Sequence, residues 1–315
     1  MNKLKFYEYK NMHDFFYKRP APTIIRTTGE DAEDYLQSQW TIDLKKLPEQ
    51  EVRFGLRLNS KGKILASAYI LRLTKEEFLI LSEGLAAEEL ISLMEENVVA
   101  DEVEFSNESE SWDYFCTRVK NPKGFIAKYG KSFDSSGQIV KFEDSIFFID
   151  ERYEGSTLSS IHKKSDTSHP AWTNELQEIN KDEYNFLRIK NHCFAIPMEI
   201  GPEELPQEAG LEIKSVDFDK GCYLGQEVMA RLHSMGQVQR HITVVEWLPE
   251  SGTPPTLPMN VVFNDKIIGS LKSLVGDGET WIGVAKIHQK GMVKLGSVGL
   301  DLEDKSFGKI RKYES

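Results

Sequence analysis

Apolar and polar positions alternate along much of the first half of the chain, which predicts short strands with a few amphipathic helices between them. Strand-like runs at 52–58, 64–73 and 78–81 are separated by turn residues, as in an antiparallel meander. Apolar residues recur at helical spacing after Gly29-Glu30-Asp31 and again over 85–96, so a helix is predicted on each side of the meander. Further strands are predicted at 23–27, 98–105, 112–119, 124–127, 138–142 and 145–150.

The next part of the chain combines one well-marked helix with a long irregular stretch. Asn180-Lys181-Asp182-Glu183 has the spacing of a capping box and predicts a helix over 183–191. Residues 192–216 contain prolines and glycines without periodicity, and long loops inside a globular chain are often functional.

Two other segments are predicted to lack regular strands. Residues 1–22 are interpreted as an N-terminal extension or a short helix. Residues 157–173 are polar and are interpreted as a solvated loop, in preference to a metal site built on His162 and His169.

The composition changes after Gly236, where short strand-like runs alternate with turn residues. This pattern predicts a small β-barrel or sandwich at the C-terminal end. The predicted strands are 241–248, 260–264, 266–271, 280–287 and 292–294.

Length and charge narrow the class of protein. A chain of 315 residues predicts two or three domains. A formal net charge of −11 argues against nonspecific binding to nucleic-acid phosphates. The chain has no stretch that is typical of a signal peptide or a membrane span, so we expect a cytoplasmic protein that does not bind membranes.

The three cysteines indicate a reducing compartment. Cys116, Cys193 and Cys222 lie far apart and form neither a disulfide framework nor a Cys-x-x-Cys pair. No intrinsic metal site is therefore expected.

Residues 218–231 are the stretch with the clearest chemical character. Cys222 follows Lys220 by two positions, lies between two glycines and precedes an amphipathic run that ends at Gly236. We interpret this stretch as a turn that brings Cys222 to, or just before, the first turn of a helix, where unpaired N–H groups and the helix dipole favour a thiolate. Lys220 adds a nearby cation, so a reactive cysteine is favoured over a buried structural one.

These residues resemble a known family. The sequence Lys-Gly-Cys-Tyr-x-Gly-Gln-Glu at 220–227 resembles the signature of the YgfZ-type folate-binding proteins, which are relatives of the glycine-cleavage T-protein (aminomethyltransferase) and include mitochondrial iron–sulfur assembly members. Segments 36–43, 58–64 and 205–211 resemble other motifs of the same family. The resemblance covers nearly the whole chain.

The resemblance implies an α+β fold of the T-protein type: a three-domain cloverleaf with antiparallel sheets, a central folate pocket and a small C-terminal β-barrel. The expected division is a T-protein-like folate-binding region over 1–236, made of two intertwined α+β domains split near residue 110, and a barrel domain over 237–315.

The resemblance also implies a folate site. Glu199 matches the glutamate that holds the pterin, and a carboxylate can accept two N–H groups from an aminopyrimidine edge. Arg188 and Arg231 are candidates to bind the glutamate tail of tetrahydrofolate, with structural ion pairs as the alternative. Candidates to stack on the pterin, with core packing as the favoured alternative for each, are Trp40, Tyr69 and Tyr223. Solvated loop acids are expected at Glu203 and Glu204.

One departure bears on catalysis. The T-protein has aspartates in a hairpin where this chain has Gly62-Lys63-Ile64-Leu65-Ala66-Ser67, which contains no carboxylate. This hairpin therefore lacks a carboxylate that could stabilise the iminium formed during one-carbon transfer.

Three functional hypotheses follow. The favoured one is a tetrahydrofolate-binding accessory protein, expected to be a monomer, that supports iron–sulfur cluster assembly or repair in client enzymes, including radical enzymes that modify tRNA. In it, Cys222 is the reacting thiol and Lys220 lowers its pKa. The second is a folate-dependent aminomethyl or methyl transferase. A Cys–His hydrolase ranks last, because His233 is near the opposite end of the predicted helix.

Overall fold

The structure is a computed structural model that describes residues 14–153, 157–165, 169–250, 253–276 and 280–314. The strands, in chain order, are β1 (Phe15–Arg19), β2 (Thr23–Thr28), β3 (Glu51–Leu58), β4 (Ile64–Arg72), β5 (Glu77–Ser82), β6 (Glu104–Asn107), β7 (Trp112–Arg118), β8 (Val140–Phe142), β9 (Ser145–Ile149), β10 (Thr157–Lys163), β11 (Gln177–Glu178), β12 (Arg240–Leu248), β13 (Met259–Phe263), β14 (Lys266–Gly276), β15 (Trp281–His288), β16 (Leu300–Leu302) and β17 (Lys309–Lys312). The α-helices are α1 (Ala32–Gln39), α2 (Ala87–Glu95), α3 (Pro122–Ala127), α4 (Lys181–Lys190), α5 (Glu212–Ser215), α6 (Gln226–Met235) and α7 (Gln289–Ser297).

The first sheet has the order β3-β4-β5-β2-β6 and contains the predicted antiparallel meander. Helices α1 and α2 pack on one face of this sheet, where Tyr35, Leu36 and Trp40 are buried together with Leu90 and other apolar side chains. The 3.6-residue spacing of these apolar positions explains why both helices were predictable.

The second sheet has the order β11-β1-β7-β10-β9-β8 and is antiparallel except for the pairing of β1 with β11. Helix α4 follows this sheet in the chain and begins with the predicted capping box. The side chain of Asn180 accepts hydrogen bonds from the Asp182 and Glu183 amides, and the Glu183 carboxylate accepts one from the Asn180 amide.

The C-terminal strands close into a barrel with the order β12-β15-β14-β13-β16-β17. The expected α+β class, the antiparallel sheets and the C-terminal barrel are therefore confirmed. The boundaries near residues 110 and 236 stay predictions.

Several predicted elements were wrong. Residues 124–127 belong to helix α3 rather than to a strand, because the Asn121 side chain accepts from the Gly124 amide and caps a helical turn. Residues 292–294 belong to helix α7. In the segment 98–105, only its last two residues enter a strand, which runs over Glu104–Asn107.

Two segments that seemed irregular contain strands. Within 157–173, Thr157–Lys163 is the buried strand β10, and His162 bonds to Ser145 instead of facing solvent. Within 1–22, Phe15–Arg19 is the strand β1, while residues 1–13 lie outside the described residues. Tertiary pairing outweighed the polar composition of these segments.

The irregular segment 192–216 binds the barrel through three glutamates. The Glu199 carboxylate accepts from Ser273 Oγ at 2.5 Å, Glu204 from the Lys272 and Lys286 ammonium groups at 2.8 Å each, and Glu208 from Arg240 at 2.9 Å. The expectation that Glu204 is a solvated acid was wrong, since only 1% of it is exposed.

We expect Glu204→Gln to lower the free energy of unfolding by about 2 kcal/mol at pH 7, because a buried carboxylate with two ammonium partners loses its charge. Chemical denaturation measures this effect. Glu203→Gln is the matched control because Glu203 is exposed, and an equal loss in the control would contradict the role of Glu204.

The same comparison has a predicted pH dependence. Burial alone would raise the pKa of Glu204, but the hydrogen bonds from Lys272 and Lys286 outweigh it and lower the pKa. A lowered folded pKa contributes stability above the unfolded value of about 4.3 and loses it as the pH falls through the folded value. The difference in stability between the wild type and Glu204→Gln should therefore be largest at neutral pH and shrink as the pH falls through the folded pKa of Glu204, which chemical denaturation over a pH series measures.

Candidate functional site

A cavity of about 630 Å³ lies where the two α+β sheets and the irregular segment meet. Its lining comes from β1 and the turn after it, from Tyr114 on β7, from one side of α4 and from residues 193–198. A volume of this size and a concave, largely apolar wall are typical of sites for small molecules.

The charged lining residues of the cavity are three arginines, a lysine and an acid: Arg19, Arg152, Arg188, Lys181 and Glu83. The Glu83 carboxylate pairs with the guanidinium groups of both Arg19 and Arg152. The Arg19 guanidinium also lies over the rings of Tyr114 and Tyr184, at 4.5 and 5.0 Å from the ring centroids. The Tyr184 ring also stacks on the Tyr17 ring, with centroids 4.4 Å apart. The cavity thus combines an aromatic lining with fixed cations, an arrangement that suits a planar heterocycle with acidic substituents.

A buried ion pair lies at the wall of this cavity. Arg188 Nη1 donates to Glu199 Oε2 at 2.7 Å, and Nη2 donates to Oε1 at 3.0 Å. Burial alone would lower the pKa of Arg188, but the hydrogen bonds to Glu199 outweigh it and raise the pKa. Arg188 lines the cavity, so the pair fixes a cation at its wall.

The structure places Glu199 behind Arg188. Its carboxylate is fully buried and accepts from four donors: two of Arg188, the Ala195 amide and Ser273 Oγ. Glu199 is not among the side chains that line the cavity. Direct contact between Glu199 and a pterin stays a prediction. The position of Glu199 instead supports a role in orienting Arg188.

The other predicted ligands of folate lie elsewhere. Arg231 is exposed on α6, and Tyr223 is buried in the cluster that includes Met229. Trp40 and Tyr69 are buried in core clusters, which is the favoured alternative that the sequence offered. The structure thus brings Arg188 and Glu199 together but leaves Arg231 and Tyr223 outside the cavity lining.

Sequence reasoning missed Arg19, Glu83 and Arg152. Each lies at a strand end or in a turn that carries no motif, and β1 itself was not predicted. The run of three aromatic residues, Phe15, Phe16 and Tyr17, was the available signal for that strand, because aromatic residues are enriched in strands.

Cys222 lies on an exposed loop that is separate from the cavity lining. The helix that follows begins at Gln226, so Cys222 precedes its first turn by several residues. Gly225 takes a left-handed conformation with φ of 85°, and a Cβ there would lie 2.6 Å from the Asn59 carbonyl oxygen. Only glycine allows this close approach of the loop to the 58–64 hairpin.

The loop is fixed to residues 38–43 at both ends. The Asp217 amide donates to the Thr41 carbonyl at 2.9 Å, and the Leu224 amide donates to the Ser38 carbonyl at 3.3 Å. The Asp217 carboxylate also accepts from the Asp43 amide at 2.6 Å and from Arg53 at 2.9 Å.

Lys220 holds the middle of the loop. Its buried ammonium donates to the carbonyl oxygens of Gln37, Trp40 and Ile42 at 2.6, 2.5 and 2.7 Å. These carbonyls lie at and just after the C-terminal end of α1, where a cation is favourable. Burial lowers the pKa of Lys220 to about 8. An electrostatic effect of Lys220 on Cys222 stays a prediction, whereas its hydrogen bonds anchor the loop.

All four segments that carried the resemblance meet around this loop. Residues 38–43 bind it, Gly62 packs against Val228 of α6 and Leu205, and the Ile64 amide donates to the Glu204 carbonyl at 3.1 Å. The motifs are dispersed in sequence but form one scaffold under Cys222.

Two searches of the described ranges bear on other classes of site. No helix within them has both the length and the apolar character that crossing a bilayer requires. Within the same ranges, three or more His, Cys, Asp or Glu side chains do not converge in a way that could hold a metal ion.

Comparisons with known proteins agree with this architecture. The family model described as the GCVT N-terminal domain matches residues 23–122. The tRNA-modifying protein YgfZ of Hamiltonella defensa is 26% identical over 276 residues, which cover 84% of this chain and 81% of that protein. The YgfZ of Vibrio atlanticus is 24% identical over 275 residues, with 84% and 75% covered.

A further relative and a solved structure extend the comparison. A homologue of a mitochondrial iron–sulfur cluster assembly factor from Yarrowia lipolytica is 23% identical over 300 residues, which cover 84% of this chain and 61% of that protein. The glycine cleavage system aminomethyltransferase T from Bartonella henselae superposes with a TM-score of 0.75 at 15% identity, covering 96% of this chain and 86% of the other, which shows a shared fold. The expected relation is confirmed: the chain is a YgfZ-type relative of the T-protein superfamily.

We expect Lys220→Met to lower the free energy of unfolding by about 2 to 4 kcal/mol, because three buried carbonyls lose their donor. Amide hydrogen exchange should accelerate across residues 217–224. Lys214→Met is the control, since the Lys214 ammonium makes one exposed hydrogen bond, to the Glu151 carbonyl. If exchange stays unchanged and only the pH profile of Cys222 alkylation shifts, Lys220 acts by charge and the anchoring role is contradicted.

Proposed function

We propose that this chain is a tetrahydrofolate-binding accessory protein that supports iron–sulfur cluster assembly or repair in client enzymes, including radical enzymes that modify tRNA. The observation that carries the proposal is the division of the molecule into an arginine-lined cavity and an exposed, anchored Cys222. The names of the relatives, a tRNA-modifying protein and an iron–sulfur cluster assembly factor homologue, support this direction.

The cavity fits a folate in its residue chemistry. Tyr17, Tyr114 and Tyr184 give the cavity an aromatic lining for a planar pterin, and Arg19 and Arg152 offer cations to the carboxylates of a glutamate tail. Arg188, oriented by Glu199, presents a further donor at the wall. When bound, tetrahydrofolate would supply a one-carbon carrier, while the residues of this chain bind and orient it.

Cys222 is the proposed working thiol. A single thiolate cannot hold a cluster, so any cluster that Cys222 contacts is shared with a client or an assembly partner. Exposure of the thiol on an anchored loop suits a transient contact with such a partner. The cluster is cargo in this account.

The cavity lining does not favour the alternative function, a folate-dependent aminomethyl or methyl transferase. Ser67 lines the wall at the end of the 62–67 segment, where the T-protein has aspartates. The acid that does line the cavity, Glu83, is paired with Arg19 and Arg152. These two ion pairs occupy the Glu83 carboxylate, so among the described lining residues it is not a free replacement for the hairpin aspartates.

We expect Cys222→Ser to abolish support of a client while leaving the fold and folate affinity unchanged. The measurement is the activity of an iron–sulfur radical enzyme that modifies tRNA, in cells where the variant replaces the wild-type protein. Cys116→Ala is the matched control, because Cys116 is buried in the second sheet. Full client activity with Cys222→Ser, together with folate-dependent consumption of an aminomethyl donor, would instead establish the transferase.

A further inference from the structure

Strand β14 of the barrel contains a β-bulge where it meets the irregular segment. The pairing of β14 with β15 shifts between Leu271 and Ser273, so that Lys272 is the extra residue. Adjacent side chains of a regular strand point to opposite faces, whereas a bulge redirects one of them. Lys272 donates to Glu204 at 2.8 Å. The next residue, Ser273, reaches the same segment, and its Oγ donates to Glu199 at 2.5 Å.

A glycine on the neighbouring strand makes room for this bulge. Gly283 of β15 pairs with Leu274, and a Cβ at Gly283 would overlap the carbonyl oxygen of Ser273. A larger residue at this position would push the bulge away from β15, since the two backbones approach closely there. The direction in which Ser273 points is therefore built into the pairing of the two barrel strands.

The hydroxyl of Ser273 is the barrel's contribution to the donors around Glu199. Oε1 of this carboxylate accepts from Ser273 Oγ and from Arg188 Nη2. Oε2 accepts from Arg188 Nη1 and from the Ala195 amide. A buried acceptor is fixed in direction by its donors, because each lost bond leaves it partly unsatisfied. Removal of the hydroxyl would therefore loosen Oε1 and, with it, the bond from Nη2.

The same nitrogen of Arg188 carries the N–H group that is left for a ligand. A guanidinium has five N–H donors. Among the described residues, Nε donates to Asn185, Nη1 donates to the Cys193 carbonyl and to Glu199, and Nη2 donates to Glu199 alone. The remaining N–H group therefore belongs to Nη2. Because Arg188 lines the cavity, this is the donor that it offers to a bound molecule.

We propose that Ser273 is a positioning residue of the folate site. It holds Oε1 of Glu199, Oε1 holds Nη2 of Arg188, and Nη2 presents its remaining N–H group to the ligand. The barrel thus contributes to ligand recognition with none of its described residues in the cavity lining. The identity of the ligand rests on the proposed function, whereas the orientation of Arg188 by Ser273 is a property of the unliganded protein.

The test is calorimetric titration of tetrahydrofolate into the full-length wild type and Ser273→Ala. We expect the variant to bind about fivefold more weakly, because it lacks one buried hydrogen bond that orients Arg188. In a Glu199→Gln background, Ser273→Ala should cause no further loss, since both changes act through the same carboxylate. Lys272→Met is the matched control. It removes a bond at the same bulge while Glu204 keeps Lys286, so it should lower stability and leave the affinity unchanged.

A second measurement needs no ligand. Proton exchange between the Arg188 guanidinium and water, followed by NMR, should be faster in Ser273→Ala than in the wild type and unchanged in Lys272→Met. Unchanged affinity in a folded Ser273→Ala variant, or equal weakening by Lys272→Met, would overturn the inference. If the wild type binds no tetrahydrofolate while Ser273→Ala still accelerates exchange, the orienting role is supported and the proposed ligand is wrong.

Discussion

The buried ion pair between Arg188 and Glu199 joins helix α4, the irregular segment and the barrel. Arg188 belongs to α4, Glu199 to the irregular segment, and Ser273, which donates to Glu199, to the barrel. A fully buried carboxylate is stable only when all its partners stay in place. The shape of the cavity wall therefore depends on the barrel being docked, and the irregular segment acts as the connector.

That same segment also reaches the loop of Cys222. Residues 193–198 line the cavity, and a few positions later Glu204 and Leu205 contact the 62–64 part of the hairpin on which α6 packs. Lys220 and the 38–43 segment hold the loop from the other side. Cavity and thiol are thus distinct sites on a continuous, hydrogen-bonded scaffold, which is consistent with one protein that both binds a small molecule and meets a client.

Local sequence patterns made part of the fold and of the candidate site predictable. The meander, the capping box of α4 and the barrel strands follow from periodicity and turn residues, which act over a few positions. The burial of Glu204, the strand at Ser159 and Ser160 and the pairing of Glu83 with Arg19 follow from distant chain segments. The cysteine motif predicted which residues form the exposed loop. The hydrogen bonds by which Lys220 anchors this loop could not be predicted from the motif, because their acceptors lie at the end of α1.

We propose above all that the cavity binds tetrahydrofolate and that Arg188, oriented by Glu199, takes part in binding it. The direct measurement is calorimetric titration of tetrahydrofolate into the wild type, Glu199→Gln and the exposed control Glu203→Gln, each checked for folding. The account predicts saturable binding that Glu199→Gln weakens at least tenfold, about 1.4 kcal/mol, and that Glu203→Gln leaves unchanged. No saturable binding by the wild type, or unaltered affinity in a folded Glu199→Gln variant, would contradict it.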